Sequence, residues 1–147
     1  MVKMNEIEDL KFKPLPIGQY IAEITDVELK HSQNTEKPYY AITYSILNDE
    51  FRNAQVYQNK FFVSDDPEKQ VTMDRMFRAY LKHVTGIKDS DEFNEKYGEV
   101  DTQVSSTIKE TLIGSKVGIE IGHRPYNDQI YNEVKKAWKV DAENLGF

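Results

Sequence analysis

Residues 39–47 alternate without a break. Tyr40, Ile42, Tyr44 and Ile46 fall on one side of an extended chain, and Tyr39, Ala41, Thr43 and Ser45 fall on the other. A period of two is the side-chain repeat of a β-strand, and an apolar face opposite a mixed one commits the strand to a sheet with one buried side. The preceding stretch, Gln19–Lys30, behaves similarly, except that its apolar phase slips by one between Ile24 and Val27. A slip of one residue inside a long strand predicts a β-bulge, which lets the strand bend around a barrel corner. Pro14, Pro16 and Gly18 punctuate the chain before this first strand, and His31–Pro38 is polar and turn-like. Asn48–Ala54 is a polar connection, and Gln55–Val63 reads as a third strand rich in aromatic and β-branched residues.

The period then changes. Thr72–Thr85 places Met73, Met76, Phe77, Tyr80, Leu81 and Val84 at helical spacing, with Gly86 as a stop. Asp89 or Ser90 is placed to cap a short helix through Tyr97, and Ser105–Ile113 predicts another, ending at Gly114. A period of two returns with Val117, Ile119 and Ile121. A polar turn at Arg124–Gln129 leads to a last strand, Ile130–Val140. The 147 residues fit one domain, 1–147: three strands, a helical insertion at 64–115, two strands and a short acidic tail at 141–147. A mainly β chain in this β-β-β-α(αα)-β-β order predicts a five-stranded OB-type Greek-key barrel. Such barrels bind oligonucleotides or oligosaccharides across their second and third strands and the loops beside them. The stripe from Met73 to Val84 is then core, with the helix plugging one end of the barrel.

Composition narrows the function classes. The chain has no cysteine, which excludes disulfides, thiolate metal sites and a cysteine nucleophile. The polar N-terminus MVKMNEIEDLKFKPLP is unlike a secretory signal, so a cytoplasmic protein without a membrane role is expected. The net charge of −6 is unevenly spread: residues 11–63 and 116–140 carry 11 basic against 9 acidic side chains, while 64–115 carries 7 against 11. The strand segments are thus the basic part of an acidic chain, and attraction to phosphates acts locally, within a Debye length of ~8–10 Å.

Three stretches resemble a known family. LPIGQYIAEITDVELKHS opens with a Leu-Pro-x-Gly-x-Tyr pattern. KPYYAITYSILNDEFRNAQVYQNKFFV follows as an extended strand pair, and LIGSKVGIEIGHRPYNDQIYNEVKKAW as a strand, a Tyr-Asn turn and a closing strand ending in an aromatic. In these stretches, covering residues 15–63 and 110–140, the chain resembles a family of bacteriophage proteins long catalogued as of unknown function. Several members of that family are regarded as single-stranded DNA-binding proteins with an OB fold. The resemblance implies a protein that coats single strands during phage replication or recombination in the host cytoplasm.

The residues themselves point to the same ligand. Binding without sequence preference needs aromatic faces for bases and cations for phosphates, and the chain carries 9 Tyr, 7 Phe and 1 Trp. Tyr39 leads the outward face of the second strand. On the third strand Gln58, Lys60 and Phe62 are placed outward and Tyr57, Asn59, Phe61 and Val63 inward, with the reverse as the alternative. Arg124, Tyr126, Tyr131 and Lys135 come from the closing hairpin, and Lys37 borders the first loop. Trp138 shares a side with Ile130 and Val134 and is assigned to the core.

No catalytic, cofactor or metal pattern emerges. His31, His83 and His123 lack ligand spacing, and the acidic runs at Asp65-Asp66 and 89–92 read as helix N-termini. An enzyme is not expected. The alternative function is a protein-interaction module of a phage replication or recombination complex. Asp141, Glu143 and the terminal Phe147 echo the acidic, Phe-ended tails with which bacterial single-strand binders recruit replication and repair proteins. Phe147 is therefore the candidate partner contact, and a homo-oligomer is left open.

Overall fold

A computed structural model describes residues 14–87, 89–97 and 105–140. The order along the chain is β1 (Gly18–His31), β2 (Pro38–Ile46), a single 3-10 turn at Asp49–Phe51, β3 (Gln55–Phe61), α1 (Pro67–Thr85), α2 (Ser90–Tyr97), α3 (Ser105–Leu112), β4 (Lys116–Tyr126) and β5 (Gln129–Lys139). The five strands form one antiparallel sheet in the order β3-β2-β1-β4-β5.

The first strand is shared between two hairpins. Residues 18–23 of β1 pair with β4, and residues 22–31 pair with β2. The expected bulge is there: the β1–β2 register slips between Ile24 and Asp26, moving the buried face from Ile24 to Val27. The strand bends where it passes from one partner to the other. The sheet therefore curls until parts of its two edges, β3 and β5, lie within 8 Å between Cα atoms, without a hydrogen-bond ladder joining them.

The concave side of the curl is the core. Tyr20, Ala22, Ile24 and Val27 of β1, the four apolar residues of β2, and Val117, Ile119 and Ile121 of β4 are all buried. Helix α1 closes this core with Phe77, Tyr80, Leu81 and Val84, whereas Met76 of the expected stripe is exposed and Met73 half-buried. Tyr40, Phe62 and Phe77 lie ring against ring, with centroids 5.1–5.8 Å apart, tying the helix to β2 and to the end of β3. The helix starts earlier than its apolar period suggests. Asp66 accepts from Glu68 N–H at 3.0 Å and Pro67 occupies the first turn, so capping chemistry rather than hydropathy sets the boundary. Asp89 likewise accepts from Asp91 and Glu92 N–H at the head of α2, as the acidic run predicts.

Two expectations are corrected at the closing hairpin. The six-residue turn at 124–129 shrinks to Asn127-Asp128, both with positive φ (50° and 63°), the condition of a tight type I′ hairpin turn. Arg124 and Tyr126 are accordingly strand residues. Trp138 is not in the core: the β4–β5 register slips between Glu120 and Ile121, so Val134 and Ala137 are buried while Trp138 pairs with Gly118. Its indole lies half-buried across Gly118, where a side chain would collide with it. Among the described residues no helix is long and apolar enough to cross a membrane.

Candidate functional site

Where β3 and β5 face each other unpaired, the surface opens into a cleft of about 1060 Å³. Its walls are the two edge strands, with Tyr57, Asn59 and Phe61 on one and Ile130, Tyr131 and Glu133 on the other, and Arg124 stands beside the second wall. Pro14–Pro16 run along it. Leu15 N–H donates to Asn132 Oδ1 at 2.8 Å, and His123 Nε2 lies 2.6 Å from Leu15 O. A carbonyl oxygen only accepts, so His123 carries its proton on Nε2 here.

The large apolar groups of this region are unusually open. Tyr57 is 57% exposed, Phe61 43%, Ile130 52% and Tyr131 44%. The two tyrosines are held alike: each phenol donates to the Gln two residues before it, Tyr57 to Gln55 at 2.7 Å and Tyr131 to Gln129 at 2.9 Å. Bonds of this kind orient a ring without burying it, which lowers the ordering cost of stacking a ligand on it. Phe61 is in turn stacked on Tyr39 of β2, centroids 4.7 Å apart and planes 30° from parallel. Tyr39 does face outward as expected, and this pair extends the aromatic surface from the cleft onto the outer face of β2.

On β3 the structure reverses the sequence-based assignment. Pairing with β2 decides the faces: Val56, Gln58 and Lys60 lie opposite Tyr44, Ile42 and Tyr40, whose side chains are buried. Lys60 and Phe62 therefore point inward, and Tyr57, Asn59 and Phe61 point outward. Phe62 is 3% exposed within the aromatic triangle with Tyr40 and Phe77, so its ring has no face to offer a ligand. The Lys60 ammonium sits over the Tyr80 ring, 4.7 Å from its centroid, and burial pushes its pKa below the ordinary lysine range. Hydropathy misleads on this strand because its inner face is the polar one: Gln58 accepts from the buried Tyr44 hydroxyl at 2.7 Å.

The remaining expected contacts are only partly assembled. Tyr131 and Arg124 line the cleft, and Tyr126 stands 62% exposed at the tip of the hairpin. Lys37 is paired with Asp65 at 3.0 Å, and Lys135 with Glu133 at 3.1 Å while its stem covers Gly122. Arg124 alone of the four expected cations has neither an ion-pair partner nor a burial site among the described residues. Surface pairs of this kind contribute ~0–1 kcal/mol, so Lys37 and Lys135 can exchange a carboxylate for a phosphate at little cost. Phe147 and the acidic tail lie outside the described residues. Among the described residues no three His, Asp or Glu side chains are grouped to hold a metal ion.

Residues 1–144, nearly the whole chain, match the model of a family described as proteins of unknown function, DUF669. The chain belongs to the DUF669 family. No curated protein matches it. The cleft, the paired Tyr–Gln devices and the Tyr39–Phe61 stack are thus features of a DUF669 protein whose chemistry has to be read from its own side chains.

Proposed function

We propose that this protein binds single-stranded DNA largely independently of sequence, with the strand running along the β3–β5 cleft and over the Tyr39–Phe61 pair. The observation that carries this reading is the convergence of Tyr57, Phe61 and Tyr131, all open to solvent, on one cleft. Stacking on exposed aromatic faces is worth ~1–3 kcal/mol per base and tolerates every base, since each has a π-face. The strand order supports the reading too. An OB-type barrel whose seam is left open between β3 and β5 would have the order β3-β2-β1-β4-β5, and such barrels bind single strands beside their second and third strands. In this reading the protein acts by coating, without catalysis, in the replication or recombination of a bacteriophage in its host's cytoplasm.

The sparse free charge gives the reading a particular signature. Affinity should fall with salt at a slope of about −0.7 per phosphate contacted, so a protein relying on few cations should show a shallow slope. Titrating the protein with a dT oligonucleotide of about 30 nucleotides, at low and moderate salt, tests the reading through tyrosine fluorescence. Saturable quenching, with duplex DNA a poor competitor, is the expected result. Arg124→Ala should flatten the salt slope by about 0.7, the share of one phosphate contact. Lys60→Ala, which alters an inward residue, should change affinity by no more than about twofold, because removing a phosphate contact is what weakens binding.

A second reading is favoured by one observation. The outward N–H and C=O groups of β3 and β5 are unpaired with each other, and unpaired edges accept an extended peptide as an added strand. Absence of any oligonucleotide binding at low salt would sink the single-strand reading and leave this interaction module in its place.

A further inference from the structure

We propose that Gln58 reads the bases lying in the cleft, favouring those with a carbonyl on the exposed edge (thymine, uracil, guanine) over those with an amino group there (cytosine, adenine). The proposal rests on the single-strand reading and adds a selectivity to it. Gln58 belongs to the inward face of β3, is half-buried and also lines the cleft, and the proposal sets its carboxamide between the core and the ligand space. On the core side its Oε1 accepts from Tyr44 at 2.7 Å, and the Tyr44 hydroxyl lies 2.6 Å from that of Tyr80.

The direction of this relay follows from counting hydrogens. Each phenol has one to give, and an ammonium has only donors, so Lys60 above the Tyr80 ring cannot accept one. Among the described residues the acceptor within reach of the Tyr80 hydroxyl is the Tyr44 oxygen. Tyr80 therefore donates to Tyr44, and Tyr44 donates to Gln58 Oε1. The opposite order would leave the Tyr80 O–H buried without an acceptor, an arrangement that folded proteins avoid. A glutamine on an open surface can turn either end of its amide to a ligand. Here the oxygen is committed to Tyr44, and what remains for the cleft is the amide nitrogen with its hydrogens. Those hydrogens pair with a carbonyl and are opposed by an amino group.

Uracil and cytosine make the sharpest comparison. They share ring size and sugar, and the carbonyl at position 4 of one is replaced by an amino group in the other. The test is competition binding by the full chain with oligo-deoxyuridine and oligo-deoxycytidine of equal length. About a tenfold preference for oligo-deoxyuridine is expected. In Gln58→Glu the carboxylate still accepts from Tyr44 but presents oxygen where the amide nitrogen stood, so the order should invert in favour of oligo-deoxycytidine. Tyr44→Phe releases the amide to turn either way, and the preference should shrink to within about twofold even though total affinity changes little. Equal binding of the two oligomers by the unmodified protein overturns the proposal and leaves the single-strand reading standing. A preference that persists in both variants assigns base reading to another group and overturns it as well. Failure to bind either oligomer sinks the reading beneath it instead.

Discussion

Tyr57→Ala and Tyr131→Ala combined are expected to weaken binding of oligo-dT by at least about thirtyfold, with the fold left intact. One ring stands on each wall of the cleft, and each is held by a hydrogen bond to a glutamine of its own strand. Neither belongs to the buried core. Two stacking platforms at ~1–3 kcal/mol each give ~2–6 kcal/mol, and each 1.4 kcal/mol is a factor of about ten in affinity. Truncation of exposed side chains changes stability by only about 0.5 kcal/mol, so thermal unfolding should barely move. Anisotropy of a labelled oligonucleotide reads the affinity. The paired Phe replacements keep both faces and lose only the bonds to Gln55 and Gln129, and they should retain binding to within about threefold. Unchanged binding in the double Ala variant would place the strand somewhere other than this cleft.

Gly118→Val should cost ~1–3 kcal/mol of stability, lowering the melting temperature by roughly 3–10 °C for a chain of this size. The reason is local. Gly118 of β4 pairs with Trp138 of β5, and the indole lies flat across it, so any side chain at 118 would occupy the space of the ring. Trp138→Ala removes the obstacle. The double variant should therefore be less destabilised than the two single effects added together, and that coupling distinguishes steric conflict from a loss of backbone freedom. Additive effects in calorimetry would refute the packing account. Trp138 is the one tryptophan of the chain and lies outside the cleft, so its fluorescence follows folding while tyrosine emission follows ligand.

Some of this architecture could be read from residue patterns, and the rest depended on partners distant in sequence. The alternation of β2 and the phase slip in β1 are local signals, and both correspond to observed features, down to a bulge at Ile24/Asp26. Helix α2 begins at Ser90, directly after the Asp89 that caps it, and α3 spans Ser105–Leu112, stopping two residues before Gly114 with its φ of 90°. The faces of β3 were illegible for a physical reason. Its inner residues Gln58 and Lys60 are polar because they meet the Tyr44 hydroxyl and the Tyr80 ring, groups contributed by β2 and by a helix twenty residues further on. Its outer residues Tyr57 and Phe61 are aromatic and yet exposed. A strand with its polarity inverted violates the rule by which strands are read, and such violations are expected at sites kept for a ligand. Trp138 was misplaced for a different cause: one irregular residue pair in the β4–β5 ladder moves every later side chain to the opposite face. The cleft itself has no sequence signature, since it exists only because two strand edges far apart in the chain come close without a hydrogen-bond ladder between them.

That unmet seam makes the molecule a clasp. The β2–β3 hairpin is one jaw and the β4–β5 hairpin the other, and β1, bent at its bulge, is the spring that carries both. Parting the jaws breaks no ladder of hydrogen bonds between them, though α1 packs against both. A polymer with no free end nearby need not be threaded into such a molecule. In the single-strand reading, the strand would enter sideways, anywhere along its length.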